Sequence, residues 1–271
     1  MRLKHITFTG IDARTDLQEL QAIQQQYPIA EFGVLTSYHW YENGNRYLNP
    51  QFLPNLYGRE LNLALHICGS MARDATEGLW KRINRHTLSM LEMQLFQRVQ
   101  LNVANRLRNP VRLVSMPTPK TEVIIQQRSG NTDFFERSLW GDEDGCPRLV
   151  SMLIDDSGGQ GIDSPIIIYP SVYKIGYAGG INPDNVADKL AYLFENVHDG
   201  EFWIDMESGV RTDDWFDLDK VHQVLEICQP IIKEYRKKLE QRIEDYMKAH
   251  SMTKEDINAI CSDRRNDHAK N

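Results

Sequence analysis

Four short stretches of the chain combine residue types that can move protons or hold an anion. LHIC sets an imidazole, His66, two residues before a thiol, Cys68, and LIDDSGGQG puts Asp155 and Asp156 ahead of Gly158 and Gly159. AGGINP carries Gly179 and Gly180 before an Asn-Pro pair, and IDMESG holds Asp205, Glu207, Ser208 and Gly209. A carboxyl acts as a general acid where burial or a like charge raises its pKa, and imidazole is the natural base near neutral pH. Paired glycines let backbone N–H groups come close to phosphate oxygens. Each stretch also has a plain structural reading. His66 can be a hydrogen-bonded interior residue, Cys68 a small core filler, and Gly179-Gly180 a tight turn before a helix that opens at Pro183. For a metal, no ligand spacing beyond His-x-Cys is present, so no metal site is expected.

These groups need a frame that brings them together. Strand-like segments recur at Lys4–Gly10, Ala30–Leu35, Leu61–Cys68, Arg98–Val103, Glu122–Gln127, Arg148–Asp155, Lys174–Gly179 and Glu201–Met206. Amphipathic helical stretches lie between several of them, at Thr15–Gln26, Ala75–Phe96, Thr132–Leu139 and Pro183–Glu195, with a last one from Leu218 onward. Eight strands alternating with helices give the α/β class and the number that a closed (β/α)8 TIM barrel needs. The third and the C-terminal helices read as extended. The barrel is expected over residues 1–240, with a charged helical extension and tail over 241–271.

Side chains along a strand alternate between the barrel interior and the helix layer. In HITFT, Ile6 and Phe8 are expected to face the helices, leaving His5, Thr7 and Thr9 inside. By the same alternation His66, Cys68, Gln100, Asn102, Asp155, Asp205 and Glu207 point inward near strand ends. They converge on one polar mouth at the C-terminal face, where the loops after the last two strands commonly hold phosphate. Gly179-Gly180 and Ser208-Gly209 fall at those two strand ends. The irregular connection from Thr36 to Arg59 adds Tyr38, Trp40, Tyr41 and Tyr47, which either stack on a planar ring of a ligand or cap the barrel.

Composition narrows the partners. With 41% hydrophobic and 25% charged residues, the 271-residue chain is an ordinary globular protein. A formal charge of −7 argues against nucleic acid or an acidic membrane as the partner and in favour of a small molecule. The four cysteines are widely spaced with no CxxC pair, and no segment reads as a signal peptide or membrane span. The expected location is the reduced cytoplasm. Acids and bases alternate along KEYRKKLEQRIEDYMKAH, so that helix is read as solvated or as the contact face of a homodimer.

YAGGINPDNV is similar to the GGLNPENV segment of the phosphoribosylanthranilate isomerase family, and WIDMESGVR to its VDVSSGVE segment. LIDDSGGQG, VQLN, NRYLNP and FTGI resemble further motifs of that family in the same order, over roughly residues 4–230. This family catalyses the Amadori rearrangement of tryptophan synthesis without a cofactor. The resemblance implies that Gly179, Gly180, Ser208 and Gly209, with the Gly158-Gly159 loop, hold a substrate phosphate. Arg46 would meet the anthranilate carboxylate, and Asp155 would be the general acid; the inward positions Gln100, Asn102 and Asp205 are expected to line the substrate. The chain departs from the family at Thr9, where a cysteine serves as base, and at Asn102, where a histidine stands. Three readings follow. The first is an isomerase in which His66 or Cys68 takes over the base's role. The second is a non-catalytic binder that senses or sequesters a phosphoribosyl or nucleotide-like ligand. The third is a barrel that acts only as an interaction scaffold.

Overall fold

Eight parallel strands hydrogen-bond in sequence order and close on themselves, β1 to β8, in the computed structural model. They are β1 (Arg2–Thr9), β2 (Ala30–Thr36), β3 (Leu63–Cys68), β4 (Arg98–Asn102), β5 (Glu122–Gln127), β6 (Val150–Ile154), β7 (Ile175–Tyr177) and β8 (Glu201–Met206). The structure describes residues 2–39, 44–83, 85–103, 121–127, 150–157, 161–168, 174–198 and 200–253. The helix expected at Thr132–Leu139, the aromatics Trp40 and Tyr41, and the glycines Gly158 and Gly159 lie outside the described residues. The fold is a (β/α)8 barrel, as the alternation of elements implies.

The connecting helices show where local chemistry outweighs periodicity. The first, α1 (Leu17–Gln26), begins where the Asp16 carboxylate accepts hydrogen bonds from the backbone N–H groups of Gln18 and Glu19, a standard N-cap. The single long helix expected over Ala75–Phe96 is instead three pieces: α2 (Gly69–Thr76), a 3-10 turn at Trp80–Arg82, and α3 (Arg85–Glu92). Gly78, with φ of +76°, ends the first piece, and the same backbone state at Gln94 closes the last. The helix expected from Pro183 begins three residues later, as α4 (Val186–Asn196). The Asn182 side-chain Oδ1 accepts from the Asp184 N–H, and the Asn185 side-chain Oδ1 accepts from the Asn182 N–H, so side chains hold these residues in a turn.

After β8 come a 3-10 turn at Ser208–Val210, a two-stranded ribbon of β9 (Arg211–Thr212) and β10 (Trp215–Phe216), and α5 (Leu218–Ala249). The chain divides into two units, Met1–Ile227, which contains the barrel, and Cys228–Asn271, which contains the remainder of α5. Among the described residues, no helix is long and apolar enough to cross a membrane.

Below the mouth the barrel is filled by an unusual charged layer. Arg98 is 2% exposed, and its Nη1 donates to Glu31 Oε1 at 2.7 Å, while Thr7 Oγ1 donates to the same oxygen at 2.8 Å. Lys174 Nζ and Ser151 Oγ both donate to Glu122, which also lies 3.5 Å from Arg98 Nε. The Arg98 guanidinium stacks 4.2 Å above the buried Trp203 ring, a cation–π contact inside the barrel. Trp203 needs the space beside Gly176, because a Cβ there would overlap the indole. Gly176→Ala is therefore expected to destabilise the protein by about 1–3 kcal/mol through overpacking. Urea denaturation of the two proteins checks this, and equal midpoints would show that the indole relocates freely.

Candidate functional site

One cavity of ≈ 60 Å³ opens at the C-terminal ends of the strands. Thr9, His66, Gln100, Asn102, Asp155 and Asp205, all singled out from the sequence, line its walls. Gly179, Gly180, Ser208 and Gly209 form its rim on the β7–β8 side. Residues as far apart in sequence as Thr9 and Asp205 meet here because β1 pairs with β8, with Thr7 opposite Asp205.

On the β1–β8 wall, Thr9 Oγ1 donates to Asp205 Oδ1 at 2.8 Å. Among the described residues, no hydrogen bond engages Asp205 Oδ2, and the side chain lines the cavity. Burial raises the Asp205 pKa to about 7; the Thr9 hydrogen bond opposes this, and the carboxylates of Glu207, Glu31 and Asp155 reinforce it. His66 stands next to Thr9. Both occupy space left by Gly33, where a Cβ would lie 2.6 Å from Thr9 Oγ1 and 3.1 Å from His66 Nε2. The Gln100 amide NH2 donates to His66 Nδ1 at 3.1 Å and to Asn102 Oδ1 at 2.9 Å, so the proton of the neutral ring sits on Nε2. Burial, helped by the charge of Arg98, pushes the His66 pKa down to about 3. The imidazole therefore stays neutral at pH 7 and has little capacity to take up a proton.

Cys68 is buried and does not line the cavity. Its thiol is hydrogen-bonded to the Tyr47 hydroxyl and accepts from Asn102 Nδ2 at 3.3 Å. Burial pushes the thiol up to about 12, which leaves negligible thiolate at neutral pH. Burial of Tyr47 beside that sulfur likewise raises its phenol above the ordinary range. Of the other aromatics in the second loop, Tyr38 is occupied by donating to Asp74 at 2.8 Å.

Across the cavity, both oxygens of Asp155 are engaged. Gln126 Nε2 donates to Oδ2 at 2.7 Å, and the Ser157 hydroxyl and N–H donate to Oδ1 at 2.6 and 3.1 Å. Neither Gln126 nor Ser157 was picked out from the sequence. Counting by two along EVIIQQ would have found Gln126, and a serine two residues after an aspartate is itself a turn signal.

The glycine rim has its own support. Gly179 and Gly180 adopt φ of +111° and +66°, conformations closed to most side chains. The segment 161–164 lies over them: a Cβ on Gly180 would overlap the Asp163 backbone, and one on Gly161 would come 2.6 Å from Ser208 Oγ. Lys189 of α4 ties this segment down. Its Nζ pairs with Asp163 Oδ1 at 2.8 Å and donates to the carbonyls of Ser164, at 2.8 Å, and Gly179, at 3.4 Å. That brings a Lys189–Asp163 ion pair to the rim, and nothing in the sequence near Lys189 signals it.

Arg46 lies above the mouth and does not line the cavity. It forms ion pairs with Glu207 at 2.8 Å and Asp214 at 2.7 Å, so it joins the loops after β2 and β8. Glu207 does line the cavity, and its burial raises its pKa while the Arg46 charge opposes the rise. Among the described residues, no cluster of three or more His, Cys, Asp or Glu side chains is disposed to hold a metal ion.

No protein-family model matches the chain, and no curated protein matches it. Among solved structures the chain is similar to N-(5'-phosphoribosyl)anthranilate isomerase from Pyrococcus furiosus, with 15% sequence identity and a TM-score of 0.45. That similarity covers 83% of this chain and 98% of the other. The assignment of the barrel rests on the strand pairing itself.

Proposed function

We propose that the mouth of the barrel binds a small phosphorylated, phosphoribosyl-type molecule and isomerises it by an Amadori-type rearrangement. The observation that carries this reading is the placement of two glycine-bearing strand ends and two buried carboxyls around one cavity. The glycine rim supplies an anion seat of the kind that barrels build after their seventh and eighth strands. Asp155 and Asp205 supply proton-transfer groups within the same space. A phosphate dianion beside several carboxyls is tolerable here for two reasons. Glu207 is neutralised by Arg46, and Asp205 is still about half protonated near pH 7. The reaction class comes from the sequence resemblance, in which Asp155 donates a proton to the sugar ring oxygen as the ring opens.

Two measurements test the reading. Ribose 5-phosphate is expected to raise the melting temperature where ribose alone does not, because a ligand at 100 times its Kd stabilises the native state by about 2.7 kcal/mol. With N-(5'-phosphoribosyl)anthranilate as substrate, Asp155→Asn is expected to lower turnover by about 10²–10⁴-fold and to keep the ribose 5-phosphate shift. Equal shifts with ribose and ribose 5-phosphate would remove the phosphate seat from the proposal. A phosphate-dependent shift with no turnover by the unaltered protein would leave a binder that senses or sequesters its ligand.

A further inference from the structure

We infer that Asp205 is the general base of this site and that Thr9 is the residue that positions it. The inference rests on the isomerase reading above and assigns the proton-abstracting step within it.

A base must have an open acceptor atom facing the substrate. Asp155 has donors on both oxygens. Cys68 is set back behind Asn102 and Tyr47 and holds its proton, and His66 presents N–H at Nε2. Asp205 and Glu207 each line the cavity with one oxygen anchored and no hydrogen bond to the other among the described residues; Glu207 is held by the Arg46 guanidinium, whose charge weakens it as a proton acceptor, whereas Asp205 is held by the uncharged Thr9 hydroxyl and is the better base. A threonine hydroxyl is too weak an acid to give useful alkoxide, but it is well suited to hold a neighbouring carboxylate by donating to it. The Thr9 hydroxyl directs its hydrogen to Asp205 Oδ1, and the neutral His66 ring nearby, whose Nε2 has no hydrogen-bond partner among the described residues, adds no charge to the pair. A carboxyl that titrates near the working pH is also the most effective proton acceptor.

The step balances within the substrate. After ring opening the sugar C1 is an iminium carbon. Asp205 Oδ2 removes the proton from C2, the C–H electron pair becomes the C1–C2 double bond, and the C1=N π pair returns to nitrogen. The resulting enolamine loses its O–H proton and gains one at C1, giving the C2 ketone and a C1 amine. The oxidation of C2 is matched by the reduction of C1, and no outside reductant or oxidant takes part.

The test uses N-(5'-phosphoribosyl)anthranilate, formed by mixing ribose 5-phosphate with anthranilate, across a range of pH. The groups facing Asp205 are Thr9 from β1, Glu31 from β2, His66 from β3, Asp155 from β6 and Glu207 from its own strand end. Asp205→Asn is expected to lower kcat by about 10²–10⁴-fold while keeping the ribose 5-phosphate melting shift. In the unaltered protein, kcat is expected to fall as pH drops below about 7, the value at which Asp205 gains its proton. Thr9→Val removes a hydrogen bond that favours the carboxylate. It is expected to move that acid limb to higher pH, to lower kcat about tenfold at pH 7 with KM little changed, and to be rescued by Thr9→Ser. An Asp205→Asn protein that turns over within tenfold of the unaltered one overturns the assignment. So does a substrate that binds but is never converted by the unaltered protein. A Thr9→Val protein with the same acid limb overturns the positioning role. Loss of the ribose 5-phosphate shift in the unaltered protein would instead show that the phosphate reading has failed.

Discussion

Asp205→Asn is expected to become steadily more stable than the unaltered protein as the pH rises from about 4 to about 7. The Asp205 carboxyl binds its proton at about pH 7 in the folded state, chiefly because it is buried, against 3.8 for an ordinary aspartate. Between those values the folded chain holds more protons than the unfolded chain, so stability falls with increasing pH. Integrated over the window, the unaltered protein loses roughly 4 kcal/mol that an asparagine, which does not titrate, retains. Asparagine also keeps an oxygen for the Thr9 hydroxyl, so the anchoring hydrogen bond survives. Urea denaturation at a series of pH values reads the effect directly, and parallel pH profiles for the two proteins would refute it. A variant that gains stability while losing turnover is the usual sign of a residue kept for chemistry at a cost to folding.

Arg98→Met is expected to cost about 3–5 kcal/mol, because it leaves Glu31 buried without its counter-charge. The pair is closed to water, with both side chains 2% exposed and 2.7 Å between Nη1 and Oε1. The double variant Arg98→Met, Glu31→Gln removes both charges and keeps an acceptor for Thr7, and it is expected to recover most of that loss. Chemical denaturation of the two single variants and the double variant forms a complete cycle. A loss below about 1 kcal/mol in Arg98→Met alone would mean that the charged layer below the mouth is solvated.

The comparison of sequence with structure has a physical pattern. The eight strands were legible because parallel strands covered on both faces give short apolar runs, and the mouth was legible because polar residues interrupt those runs near their C-terminal ends. What the sequence could not show depends on register. By two-residue alternation Arg98 shares the inward face of its strand with Gln100 and Asn102, but the sequence does not say which acid it meets; the register of β2, β3 and β4 brings it to Glu31. Likewise Arg46 meets Asp214 through a loop in which Asp213 and Asp214 adopt φ of +50° and +60°, a geometry that no local pattern announces. The amphipathic spacing over 75–96 runs unbroken through Gly78, but the backbone at that glycine stops the helix. The environment of Asp205 depends on β1 and on β2, and its own neighbours in sequence say little about it.

The hydrogen bond between Thr9 and Asp205 joins residues 196 positions apart. Its consequence concerns the order of events during folding. Contacts this distant in sequence form late and slow the overall rate, because loop-closure entropy must be overcome before they contribute stability. On a growing chain, β1 emerges well before β8 and presents an unpaired edge until β8 is available to cover it. The site is thus completed by the closure of the barrel itself, and partly folded forms that lack the β1–β8 seam carry neither the anchored carboxyl nor the cavity.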